Sequence, residues 1–348
     1  MTQPRHSINF LGDIGEAVAP TRFPSTNYLI DDGRYPAVGN WAFCRFADDD
    51  IPAARIGFTR GTLNCSRDGD ELLDSGLQLH IEVMTREGAL LWLATGRYRA
   101  SQVISDSAKM DIRLSAGGRE VFTIQGWPKM QWHFESDDSE IEIDLRFDLR
   151  HVAVLPDSVW PSYVFAMWWA HGAVEGRIRY QGLARSVQGS VFYDQPRVTR
   201  GKNLVALRKW YLYTPMRFRD GSAMVTYYAE DVAGRPIGDY CFGLFIDRSG
   251  QSTWLPHAVL SDLEYDADHL PRSWRLVWPS GSRIRELQVS VRETVILRSW
   301  GSPSAPQTRK VFLFIPLVLD GICLVEELGI NTPLPGLGLA EYWRRPLV

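Results

Sequence analysis

From Ile141 to Arg150 the chain reads Ile-Glu-Ile-Asp-Leu-Arg-Phe-Asp-Leu-Arg, apolar and charged residues alternating without a break. Successive side chains of an extended strand point to opposite faces, whereas a helix would spread this pattern around its whole circumference. The segment is therefore read as an antiparallel strand with one face in a core and the other in water. Leu77, Leu79, Ile81 and Val83 alternate in the same way with Gln78, His80 and Glu82. Arg86-Glu87-Gly88 then separates them from Ala89-Leu90-Leu91-Trp92, a hairpin signature. Residues 209–213, 223–229, 240–247, 274–278, 285–293 and 311–319 read as further strands, joined by turns such as Asp220-Gly221, Ala233-Gly234 and Ser280-Gly281. Residues up to about Asn40, rich in Pro, Gly and Asp, are expected to form an irregular lead-in. No long segment carries the 3.6-residue period of an amphipathic helix.

Many short strands at fairly regular spacing predict an all-β protein, a sandwich or an up-and-down barrel. A chain of 348 residues accommodates two such units, and the polar stretch from Arg197 to Leu204 suggests residues 1–196 and 197–348 as the domains. The net charge of −3, with acids and bases interspersed, leaves no electrostatic footprint for nucleic acid. The longest apolar run, Val311 to Leu319, is too short to span a bilayer, and the first residues lack a secretory pattern. The cytoplasm is the expected location, with at most a loose membrane association. Four cysteines without CxxC spacing and seven histidines without HxH or HExxH spacing predict neither a metal site nor a disulfide framework. No GxSxG, Walker or GxGxxG motif is present, so no cofactor is expected.

Chemistry is expected between His151 and Val198. There Trp160, Tyr163, Phe165, Trp168 and Trp169 crowd a short run, followed by His171, Glu175 and Asp194. Residues 174–180 and 185–193 look like the arms of a hairpin. A four-residue loop, Gln181 to Ala184, would set His171 opposite Asp194 and Glu175 opposite Ser190; a two-residue loop would set Trp169 opposite Asp194 instead. In either register Trp169, His171, Glu175, Phe192 and Asp194 share one face, and Val174, Ile178, Val187, Val191 and Tyr193 the other. The ribbon would then be solvated at its turn and covered at its root. A carboxyl group among aromatic rings is a proton donor near neutral pH, because desolvation disfavours its ionised form. Asp194 is the first candidate for that role, with His171 tuning it, relaying the proton or holding a water. Aromatic faces stabilise a carbocation formed by alkene protonation, which suits hydration or cyclisation of an apolar polyene.

At this point the residues resemble a family. Gly39-Asn40-Trp41-Ala42-Phe43 looks like the early aromatic strand of the AttH-like and carotenoid hydratase (hydroxyneurosporene synthase) group, which is related to fungal Diels-Alderases. The run from Val174-Glu175-Gly176 to Gly189-Ser190-Val191-Phe192-Tyr193-Asp194 is similar to its glycine-flanked hairpin, and Gly321-Ile322-Cys323-Leu324-Val325-Glu326 to its closing strand. Asn40 stands where that group carries Glu, and Gln195 where many members carry His. The resemblance implies two lipocalin-like antiparallel β-barrels with a pocket for a hydrophobic isoprenoid or polyene substrate between them. It further implies protonation of a double bond by Asp194, with His171, Trp169 and Phe192 or Tyr193 nearby; Tyr193 and, from the shared face of the ribbon, Glu175 complete the catalytic candidates. Trp41, Phe43, Trp160, Tyr163, Trp168, Trp169, Phe192 and Trp210 are the candidate substrate-binding rings. A pericyclase and a non-catalytic carrier of hydrophobic ligands are the alternatives, and the oligomeric state is left open.

Overall fold

The computed structural model describes residues 9–13, 37–60, 77–84, 90–98, 103–106, 111–126, 129–136, 139–155, 165–180, 182–198, 208–267, 269–279, 282–294, 313–327 and 330–344. Among the described residues there is no α-helix, and a single 3-10 turn spans Gly238–Tyr240. Everything else of regular structure is antiparallel strand.

The first sheet has twelve strands: β1 (Asn9–Asp13), β2 (Ala37–Phe46), β3 (Ala53–Arg60), β4 (Leu77–Met84), β5 (Leu90–Tyr98), β6 (Val103–Asp106), β7 (Asp111–Ala116), β8 (Arg119–Gln125), β9 (Lys129–Glu135), β10 (Ile141–Leu155), β11 (Phe165–Tyr180) and β12 (Leu183–Val198). The second has nine: β13 (Arg208–Phe218), β14 (Ala223–Asp231), β15 (Phe242–Ile246), β16 (Ser252–Pro256), β17 (Val259–Tyr265), β18 (Pro271–Val277), β19 (Ile284–Thr294), β20 (Leu313–Glu327) and β21 (Ile330–Arg344). Both follow one plan. In the first the order is β5-β4-β3-β2-β12-β11-β10-β9-β8-β7-β6, with β1 beside β10; in the second it is β16-β15-β14-β13-β21-β20-β19-β18-β17. Each sheet grows outward for four strands, restarts at the far edge and returns to close against its own beginning, at β2–β12 and at β13–β21. The chain divides into two compact units, residues 1–83 with 91–205, and residues 84–90 with 206–348.

Each sheet is strongly curled. Phe58 on β3 and Phe122 on β8 lie six strand steps apart, about 29 Å on a flat sheet with ~4.8 Å between strands. Their ring centroids are 6.0 Å apart. In the second sheet Trp278, one residue past β18, donates Nε1 to the carbonyl oxygen of Leu255 on β16 at 3.1 Å, across seven strand steps. The concave side of each curl is its core. In the first unit Trp132 fills the centre, with Phe122 edge-on at 5.7 Å and Tyr193 edge-on at 5.9 Å. These are two lipocalin-like half-barrels: the strand pattern predicts the all-β class, and the resemblance the lipocalin-like form.

The alternation of β10 is realised residue by residue. Ile141, Ile143, Leu145, Phe147 and Leu149 are buried, while Arg146 and Arg150 are exposed and Glu142, Asp144 and Asp148 half-buried. One expectation needs correction. The lead-in is not wholly irregular: β1 pairs with the far half of β10, Phe10 opposite Ala153, and β2 already begins at Ala37. Of the two hairpin loops that the sequence allows, the structure has the shorter, of two residues, with Tyr180 opposite Leu183 and Gly182 at a φ of +79°, a conformation that costs glycine little and other residues more. The Arg86-Glu87-Gly88 and Ser280-Gly281 turns lie outside the described residues.

Candidate active site

The two-residue loop selects the register in which Trp169 faces Asp194 and His171 faces Phe192. On β2, Trp41 pairs with Asp194 and Phe43 with Phe192. Counting by twos, these six side chains share the convex face of the first sheet, opposite the core. They are nonetheless buried. Trp169 is 0% exposed, His171 1%, Asp194 2% and Phe192 5%. Toward the turn the same face opens, with Glu175, Arg177, Ser186 and Gln188 exposed. The ribbon is thus covered at its root and solvated at its tip.

The buried row runs on in both directions across the sheet. On β3, Arg55 lies opposite Phe43; its Nη2 donates to Glu82 Oε1 of β4 at 3.0 Å, and its Nε stands 3.0 Å from Oε2. His80, also on β4, has its ring 5.3 Å from that of Trp41. On the other side His151 of β10 pairs with His171, ring centroids 5.0 Å apart. Asp194 therefore sits near the middle of a buried polar and aromatic band that includes Arg55, Glu82, His80, His151 and His171. Four of these, Arg55, Glu82, His80 and His151, were not among the sequence candidates. On an alternating strand such as Leu-Gln-Leu-His-Ile-Glu-Val-Met, a polar residue at every second place reads as facing water, and nothing local says that this face is covered.

The remaining sequence candidates are dispersed. Glu175 is exposed and four residues along β11 from His171, roughly 13 Å at 3.3 Å per residue, so it does not join Asp194. Tyr193 turns into the core, where its hydroxyl donates to Asn40 Oδ1 at 2.8 Å. Gln195 Nε2 donates to the same oxygen at 3.0 Å. Asn40 and Gln195, two of the positions at which this chain departs from the resembled group, are thus bonded to each other as a pair of neutral amides. Trp210 belongs to the core of the second unit and gives its Nε1 to Glu230 Oε2 at 2.8 Å. Trp168 lies on β11, where Gln195 is its partner, and only its backbone is described; Trp160 and Tyr163 fall outside the described residues.

Two adjoining hollows lie on the solvated part of this face. The larger, about 670 Å³, is lined by Gln131, Asp144, Arg146, Glu175, Arg177 and Gln188 among others. The smaller, about 470 Å³, reaches Ala173 and Gly189, just short of the covered rows. Beside them His133, Glu142 and Asp144 bring their ligand atoms within 4.8 Å of one another. His133 Nδ1 is 2.6 Å from Asp144 Oδ1, and Arg179 Nε donates to Glu142 Oε2 at 2.7 Å. The three are engaged by these hydrogen bonds, and we read no metal there.

The fold of two curled, all-β, lipocalin-like units is shared with solved structures. The crystal structure of a candidate AttH from Nitrosomonas europaea superposes with a TM-score of 0.61, covering 95% of this chain and 99% of that one at 13% identity. Kievitone hydratase from Nectria haematococca superposes at 0.55, covering 96% and 97% at 10% identity. What is shared at such identity is the fold. No protein-family model matches the sequence, and no curated protein does.

Proposed function

We propose that the chain is an enzyme that adds water to, or cyclises, an apolar unsaturated substrate, with Asp194 as the proton donor. The observation that carries this reading is the placement of Asp194, 2% exposed, directly between Trp169 on one neighbouring strand and Trp41 on the other. Its carboxylic acid would give its proton to one carbon of a double bond. The two indoles would face the cation left on the other carbon, where their electron-rich faces attract positive charge most strongly in a dry site. Water captures that cation in a hydratase; a second double bond of the same substrate captures it in a cyclase.

Two facts favour chemistry over simple carriage. The concave interior of the first unit is filled by its own rings, Phe58, Phe122, Trp132 and Phe147, each buried to below 2% exposure, so a guest there would have to displace them. One of the structural relatives is named a hydratase. An isoprenoid or polyene would suit the aromatic row of Trp41, Trp169 and Phe192, and the polar end of such a molecule would suit the adjoining hollow at Arg146 and Gln188.

The test is turnover of a panel of acyclic polyenes, with mass spectrometry for the gain of one water or for an isomer of unchanged mass. Asp194→Asn keeps the shape and removes the proton; it should lower the rate by roughly 100-fold or more. A variant as fast as the parent protein would end the proposal, and ligand binding with no product from either protein would make the chain a carrier.

A further inference from the structure

A second imidazole stands beside the proposed acid through an irregularity in β10. Leu149 pairs with Gly172 and His151 already pairs with His171, so Arg150 is bulged out of the ladder. One extra residue reverses the face that the following side chains take. Leu149 packs in the core; His151 stands on the convex face, ring to ring with His171 at 5.0 Å and a tilt of 40°. Both are buried, at 5% and 1% exposure. His171 is in turn the diagonal neighbour of Asp194, since the ladder pairs Trp169 with Asp194 and His171 with Phe192.

Among the described residues, the charged groups around the pair on this face are Asp194 on β12, Asp148 on β10, which stands opposite Ala173 with its Oδ2 3.7 Å from Nη2 of the bulged Arg150, and Arg45 on β2. Arg45 Nη1 is given to the carbonyl oxygens of Phe46 and Pro52. By backbone register Asp13 of β1 stands opposite His151. Two imidazolium ions so close together in a buried site repel strongly, so the pair holds one extra proton at most and titrates as a unit.

We infer that His151 and His171 act together as the base of the reaction, His171 taking the proton and His151 positioning and sharing it. The inference rests on the reading of Asp194 as the acid. Asp194 breaks its O–H bond and a C–H bond forms on the alkene. Water then forms the C–O bond to the cation and passes a proton to His171, and that proton returns to the Asp194 carboxylate. The sum is alkene plus water giving alcohol, with the protein restored and no electron transferred.

The first experiment needs no substrate: NMR titration of the full-length protein with ¹⁵N-labelled histidine rings, assigned with His151→Gln and His171→Gln. The two rings should titrate in linked, separated steps, and His151→Gln should return His171 to a single step. Two independent single steps in the parent protein would overturn the inference.

The second follows a convertible polyene in D₂O. His151→Gln should make alcohol roughly 100-fold more slowly at unchanged KM, while deuterium still enters recovered alkene because Asp194 continues to protonate it. Asp194→Asn should show neither product nor deuterium. Alcohol formation at the parent rate in His151→Gln would refute the base pair and leave Asp194 standing. An active Asp194→Asn would refute the acid, with the titration still deciding the pair. Should His151→Gln fail to fold, the titration of the parent protein decides alone.

Discussion

The guanidinium of Arg55 lies 4.5 Å from the centre of the Trp41 ring while its Nη2 is given to Glu82. The indole that faces Asp194 is therefore held by a buried ion pair on one side and by the ring of His80 beside it. Cation and ring attract most strongly where water is excluded, and here both partners of the ion pair are at most 3% exposed. A single large side chain is thereby fixed in one orientation at the centre of the candidate site.

Breaking that pair should be costly. Glu82→Leu leaves the Arg55 charge buried without its carboxylate, a loss of about 3–5 kcal/mol. Arg55→Met combined with Glu82→Leu should recover most of the stability and still lose the orientation of Trp41. Urea denaturation of the two single variants and the double variant measures this; singles as stable as the parent would refute it.

Gly57 should tolerate no side chain. It pairs with Trp41, and a Cβ there would come 2.1 Å from Trp41 Cε3 and 2.5 Å from Cδ2. Gly57→Ala must push the indole aside, costing about 1–3 kcal/mol by overpacking, and should slow turnover beyond what the lost stability explains. Near-ultraviolet circular dichroism would report the displaced ring, and an unchanged spectrum would contradict the close approach.

Tyr193 separates the two faces of the ribbon. Tyr193→Phe removes the donor to Asn40 Oδ1 in the core and should cost about 1 kcal/mol. It should leave the rate of any reaction at Asp194 within a few-fold of the parent. A large fall in turnover at normal stability would place the hydroxyl in the chemistry.

The buried thiols make stability fall in alkali. Burial and the nearby Asp220 push Cys323 from an ordinary 9.0 up to about 12, and burial raises Cys44 as well. Between pH 9 and 12 the unfolded chain releases a proton that folded Cys323 keeps, so the folded state binds more protons and stability declines as pH rises, by up to about 1.4 kcal/mol per pH unit for each thiol. Below pH 9 the thiol is protonated in both states and the effect vanishes. Cys323→Ala should flatten the alkaline limb of a plot of denaturation midpoint against pH. At pH 8 neither Cys44 nor Cys323 should react with iodoacetamide in the native protein.

Much of the fold is legible in the sequence because its strands are half-exposed. In β4 and β10 the core face and the other face differ at every residue, and a period of two can mean little else. β1 escapes because Asn-Phe-Leu-Gly-Asp is too short to alternate, and only its pairing with β10 makes it a strand. The companions of Asp194 were readable as a set, since parity alone fixes the face that it shares with Trp169, His171 and Phe192. Which residue stands opposite it was not, because Gln181 to Ala184 accommodates two loop lengths. His151 was hidden for a different reason: a bulge leaves no mark in composition, so its side cannot be counted from Leu149. Arg55 and Glu82 were hidden because burial of a convex face is a tertiary fact.

Tyr180, where β11 ends at the Gly182 turn, lies eleven residues from Trp169, roughly 36 Å at 3.3 Å per residue, yet the turn sets what Trp169 meets. Like the hinge of a zipper, it fixes every tooth above it. Lengthening the tip by one amino acid would slide the two arms and carry the carboxylate of Asp194 from the aromatic row into the greasy interior. The make-up of the row at the base of the ribbon is thus inherited from its solvent-washed end, and a lineage that changed the tip length by an odd number of residues would have to rebuild that row from other residues.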